Sequence, residues 1–132
     1  LKSVLIVEDE ILIAMEIERI LEEAGYRVIA IAADQQEALR AGEKADLALI
    51  DLNLRDGPTG PIIARELAAQ YGVRVVYVTA NPAQIGEPAS TAMGCIRKPF
   101  TDDAILTAVA VAAGAENASL SHEGLIGLRT AI

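Results

Sequence analysis

The chain has 132 residues, 52% of them hydrophobic and 23% charged, with a net charge of −8. That is enough apolar material for one core, too even a balance for a disordered chain, and the wrong sign for gripping nucleic-acid phosphates, so no direct nucleic-acid partner is expected. No apolar run reaches the roughly 20 residues needed to cross a membrane, and the single cysteine, Cys95, has no internal disulfide partner, so a cytoplasmic, reducing setting is expected.

Taken in order, Val4 to Val7 is an uninterrupted apolar run, the pattern of a strand buried on both faces. It runs into Glu8-Asp9-Glu10. Ile13, Ile17, Ile20, Leu21 and Ala24 then recur at helical spacing, with acids and Arg19 between them and Gly25 as a stop. Val28 to Ala32 reads as a second strand. Asp34-Gln35-Gln36-Glu37 is a capping-box-like start for a short helix that Gly42 closes. Asp46 to Ile50 is a third strand leading into Asp51.

After a loop holding Asp56-Gly57-Pro58, Pro61 suits a first helical turn, and Ile63, Ala64, Leu67, Ala68 and Tyr71 form one apolar stripe. Val73 to Val78 is a fourth strand, ending at Thr79. The stretch 81–93 is the weakest in pattern: Pro82 can open a helix, but Gly86 and Pro88 interrupt it, so a short or irregular helix is expected. Gly94 to Arg97 is a fifth strand, followed by Lys98-Pro99-Phe100. Thr101 caps a last helix whose first turn holds Asp102 and Asp103.

Strands alternating with helices predict βαβ units, hence a flavodoxin-like, doubly wound five-stranded parallel sheet of order 2-1-3-4-5 with helices on both faces. One domain is expected over residues 1–113. Residues 114–132 form a tail without clear period; disorder and packing on the domain or on a second copy are equally open readings. His122, the sole histidine, reads as a solvated tail residue.

The polar residues of interest each follow an apolar strand: Glu8 and Asp9, Asp51, Thr79, and Lys98. In open α/β sheets, ligands bind beyond the carboxyl ends of the strands, where the strand order switches. In this order the switch would bring Glu8 and Asp9 beside Asp51. Each like-charge pair at about 4 Å costs roughly 4 kcal/mol at an effective dielectric of 20. Such a cluster either shares protons or takes a divalent cation, and an all-oxygen site suits Mg²⁺. Singly, each residue has a plainer reading: the acids as a solvated helix start, Asp51 as a turn residue, Lys98 as a surface lysine, Thr79 as a β-branched strand residue. A cis bond at Lys98-Pro99 is one of two open conformations.

In combination, Glu8-Asp9, Asp51, Thr79 and Lys98-Pro99, in this order and on these elements, resemble the receiver domain of two-component response regulators, over about residues 2–113. The resemblance implies a phosphoryl group passed from a histidine kinase onto Asp51, with Mg²⁺ required. It implies Asp9, Asp51 and the backbone carbonyl of Asn53 as metal ligands, with Glu8 acting through water. Lys98, Thr79 and the N–H of Ala80 would bind the phosphoryl oxygens, and Asn53 and Asn81 would influence how fast water removes the group. The partners implied are a sensor histidine kinase or phosphotransfer protein, a downstream target or attached output domain, and a second copy as an open alternative. The chain would be no enzyme beyond its own phosphorylation and dephosphorylation.

Two departures from the family pattern stand out. Cys95 occupies the position, three residues before the lysine, where an aromatic partner of the threonine is usual, so the switch pair here would be Thr79 with Cys95. The loop after Asp51 has Arg55 where proline is common and an apparent extra residue in Asp56-Gly57-Pro58-Thr59-Gly60. The expectation is therefore that residues 81–93 carry the response through order and disorder. Rival readings fit less well. An aspartate-nucleophile phosphatase would want a second Asp at position 53, and a nucleotide or flavin module would want a Gly-rich phosphate loop where Glu8-Asp9-Glu10 stands.

Overall fold

The computed structural model describes residues 2–114 and 124–128. His122 and most of the 114–132 tail lie outside the described residues. The chain runs β1 (Ser3–Val7), α1 (Ile11–Glu23), β2 (Arg27–Ala32), α2 (Gln35–Gly42), β3 (Leu47–Asp51), α3 (Gly60–Tyr71), β4 (Arg74–Thr79), a 3₁₀ turn (Pro82–Ile85), β5 (Ala92–Arg97), α4 (Asp102–Ala112) and β6 (Leu125–Gly127).

The sheet order is β2-β1-β3-β4-β5-β6, with β1 to β5 parallel. All five residues of β1 and of β3 are buried, because helices cover both faces of the sheet. On one face, α2, α3 and the 3₁₀ turn pack Ala38, Ile63, Leu67 and Ile85 around Leu5, Ile50 and Tyr77. On the other, α1 and α4 set Ile17, Leu21, Ile105 and Val109 against Val4, Ile6, Leu49 and Val76.

Local signals explain the element ends. Asp34 caps α2 by accepting the Glu37 N–H at 2.9 Å. Glu37 reaches back one residue further than in an ordinary capping box, to the Ala33 N–H at 2.8 Å. Thr101 caps α4 through the Ala104 N–H at 3.1 Å. Gly72 ends α3 in the left-handed conformation, φ 65°, which costs glycine nothing.

Two features differ from the sequence expectation. The sheet has six strands rather than five: Leu125 to Gly127 pair antiparallel with Ile96 to Gly94. A three-residue strand is too short to show a period, so composition alone marked this stretch. Leu125 packs against one core layer, and Ile126 and Leu128 against the other. The fifth strand also begins earlier, at Ala92. Between β4 and β5 the chain makes only the short 3₁₀ turn, consistent with Gly86 standing at φ 64° just after it.

Candidate functional site

Because β1, β3, β4 and β5 run parallel, their carboxyl ends share one edge of the sheet. Glu8 directly follows β1, Asp51 and Thr79 are the last residues of β3 and β4, and Lys98 directly follows β5. Adjacent pairing of β1 with β3 puts Glu8 and Asp9 beside Asp51. They border a cleft of about 350 Å³ lined by Asp9, Glu10, Asp51, Asn53, Thr79, Ala80, Asn81 and Lys98. Glu8 (2% exposed), Thr79 (2%) and Asp51 (8%) form the chain's buried polar set together with Ser3, among the described residues.

Glu8, Asp51 and Lys98 are each held from two sides. Lys98 Nζ donates to Glu8 Oε1 at 2.8 Å and to Asp51 Oδ2 at 3.2 Å. Asp51 Oδ1 accepts the Leu52 N–H at 2.7 Å, and Glu8 Oε2 accepts the Glu10 N–H at 3.2 Å. Thr79 Oγ1 accepts the Asn81 N–H at 3.0 Å. The Lys98–Pro99 bond is cis.

Burial pushes the Glu8 carboxyl up to about 7, and the neighbouring Asp51 charge adds to this against the opposing Lys98 hydrogen bond. Burial alone would depress the Lys98 ammonium, but its hydrogen bond to Glu8 and the charges of Glu8 and Asp51 outweigh that and hold it above the ordinary lysine range. Glu8, Asp9 and Asp51 can each turn one carboxylate oxygen to within 4.8 Å of the others. With Lys98 as the counter-charge, three ionised carboxylates leave two negative charges, the charge of one divalent cation. A hard, oxygen-only donor set beside an open cleft fits Mg²⁺.

The loop after Asp51 is shaped by its departures. Leu54 and Gly57 exchange both backbone hydrogen bonds, at 2.9 and 3.0 Å, closing a tight turn. Arg55 pairs with Asp34 and, at 3.5 Å, with Glu37. Gly60 then starts α3 directly against the end of β3: a Cβ there would lie 2.5 Å from Leu52 Cα and against the Asp51 carbonyl oxygen. The close approach of helix to strand at Asp51 requires glycine at this position.

The structure thus brings Glu8, Asp9, Asp51, Asn53, Thr79, Ala80 and Lys98 around one cleft. Cys95 lies elsewhere. It is fully buried in the core, facing Tyr77 across the β4–β5 pair, and burial pushes its thiol up to about 11. Sequence reasoning missed Glu10 as a lining residue. It also missed Gln84, whose amide makes a reciprocal pair with Asn53: Nε2 to Oδ1 at 2.6 Å and Nδ2 to Oε1 at 3.1 Å. The two residues are 31 apart in sequence, so no local pattern signals the contact.

Comparison with known proteins points in one direction. The family model described as "Response regulator receiver domain" matches residues 4–110. The Phyllosphere-induced regulator PhyR of Methylorubrum extorquens is 36% identical over 103 residues, covering 74% of this chain but only 38% of its own length. The solution structure of the Erythrobacter litoralis PhyR response regulator REC domain superposes with a TM-score of 0.77 at 31% identity, covering 92% of this chain and 96% of that one. The receiver domain of the sensor histidine kinase PA1611 from Pseudomonas aeruginosa PAO1 superposes with a TM-score of 0.74 at 28% identity, covering 86% and 98%. That structure has a magnesium ion coordinated in its active site cleft.

Proposed function

This chain belongs to the response regulator receiver domains, and from that membership we propose that Asp51 accepts a phosphoryl group from a phosphohistidine. The donor is a sensor histidine kinase or a phosphotransfer protein. The observation that carries the reading is the bridging of Glu8 and Asp51 by Lys98, at 2.8 and 3.2 Å, in an acid cluster that it leaves with two negative charges in excess.

Transfer forms a bond from an Asp51 carboxylate oxygen to phosphorus and breaks the phosphorus–nitrogen bond to the donor histidine. The Leu52 N–H, at 2.7 Å from Oδ1, fixes the plane of the nucleophile. Lys98 stays on Oδ2 and meets the incoming phosphoryl oxygens with its ammonium charge. Thr79 Oγ and the Ala80 N–H border the same cleft as further donors. Asp9, Asp51 and the Asn53 carbonyl, with Glu8 behind them, would hold Mg²⁺, which would supply charge neutralisation to the transferring group. The rest is positioning, and no separate general base is needed.

The chain acts as an enzyme on nothing but its own phosphorylation and dephosphorylation. Its output is a contact with a downstream protein, an attached output domain or a second copy, in the cytoplasm where such donors work. The decisive experiment is incubation with acetyl phosphate and Mg²⁺, followed by intact mass on wild type and Asp51→Asn. A gain of one phosphoryl group on wild type alone is expected. The same gain on the variant would refute Asp51 as the acceptor.

A further inference from the structure

The rim of the cleft holds a contact that the phosphoryl chemistry above does not use. Asn53 is exposed and lines the cleft two residues beyond buried Asp51. Its whole amide is turned sideways onto half-buried Gln84 of the 3₁₀ turn, each amide donating to and accepting from the other. The turn carrying Gln84 is itself tied to the site: the Gln84 N–H donates to the Asn81 carbonyl at 3.0 Å, and the Asn81 N–H to Thr79 Oγ1 at 3.0 Å. Asn53, Gln84, Asn81 and Thr79 therefore form a chain of hydrogen bonds along the cleft mouth, from two residues beyond Asp51 to the end of β4.

Resting on the reading that Asp51 carries the phosphoryl group, we propose that Gln84 is a positioning residue that sets how long this group survives. Hydrolysis needs a water oxygen to form a bond to phosphorus while the phosphorus–Asp51 oxygen bond breaks. Asp51 leaves as a carboxylate, and the water's protons pass to the phosphate and solvent. The water must stand on the side of phosphorus away from Asp51, toward the mouth, where an amide free to turn inward would hold it. Gln84 occupies the Asn53 carbonyl oxygen and one of its N–H groups, so the Asn53 amide cannot turn to receive that water.

The test is a decay experiment on the full chain. Wild type, Q84A, N53A and N53A/Q84A are labelled with acetyl phosphate and Mg²⁺, the donor is removed, and loss of the phosphoryl mass is timed. Q84A is expected to lose the group about fivefold faster, the equivalent of one ordinary hydrogen bond. In the N53A background the same change is expected to have no effect, because the amide it acts through is gone. Asn53 side-chain ¹⁵N resonances should shift in Q84A, and Q84E, which keeps only the acceptor, should fall between Q84A and wild type. An unchanged or slower loss in Q84A, or an equal acceleration in the N53A background, overturns the role of Gln84 and leaves the Asp51 assignment standing. Failure of wild type to label at all removes both.

Discussion

Tyr77 on β4 faces Cys95 on β5 across the sheet, and its hydroxyl accepts the Ala89 N–H at 2.9 Å. The aromatic ring is fully buried, opposite a small thiol. Its polar end grips the irregular stretch between the 3₁₀ turn and β5. That relationship makes Tyr77 the anchor of the segment whose response the sequence singled out.

Tyr77→Phe should remove the acceptor and leave the Ala89 N–H buried without its partner, a loss of about 1–3 kcal/mol. Urea denaturation should show it as a lowered midpoint at unchanged slope. Amide exchange should speed up around Ala89 more than in β1 or β3. Uniform acceleration across the chain would mean that the hydroxyl anchors nothing local.

Hydrogen exchange over residues 81–93, with and without beryllofluoride and Mg²⁺, tests the response of that segment directly. The expected outcome is a change in protection there that exceeds any change in the sheet. Equal protection in both states would sink the idea that order and disorder in this segment carry the signal.

The Glu8 carboxyl gives a pH signature. Its folded value is about 7, against roughly 4.3 for an unfolded glutamate, so between these values the folded state holds a proton that the unfolded state has lost. Stability without metal therefore falls as pH rises through this window and is fullest below it. Glu8→Gln should flatten the slope, and excess Mg²⁺ should do so as well by stabilising the ionised carboxylates. Thermal melts at a series of pH values, with Mg²⁺ or with chelator, check the sign.

Gly60→Ala should be disproportionately harmful for so small a change. The added methyl meets backbone atoms of Asp51 and Leu52, not a flexible side-chain end, so the strand or α3 must shift. A loss of about 1–3 kcal/mol is expected, together with slower labelling by acetyl phosphate. Gly25→Ala, where nothing lies within 4 Å of a new Cβ, is the comparison: its φ of +93° costs stability without touching the site. Normal labelling in Gly60→Ala would show that the close approach does not set the position of Asp51.

Cys95 should behave as core material. Burial holds its thiol near 11, so at pH 8 the folded protein should resist alkylation and react only on unfolding. Rapid modification of the native protein would place this thiol outside the core.

Much of the site was legible because its residues end local patterns. Glu8, Asp51, Thr79 and Lys98 each terminate an apolar run, and the run order determines which ends become neighbours. What escaped depends on contacts between distant segments. The Asn53–Gln84 pair spans 31 residues, the Tyr77 hydroxyl reaches Ala89 across 12, and no periodicity encodes either. β6 escaped for a different reason: Leu125 to Gly127 is too short for a period to repeat, and it becomes a strand by pairing with the open edge of β5. Gly60 was visible as a loop glycine, but its obligation to be glycine comes from the Asp51 backbone pressed against it.

β6 also gives the molecule a direction. It runs opposite to β5, so Leu128 returns beside Met93, near the start of β5, while the cleft lies at that strand's far end. A reporter or fluorophore joined through Leu128 would leave from the pole remote from Asp51, clear of any phosphate donor approaching the cleft. It would tug on the outermost hydrogen bonds of the sheet.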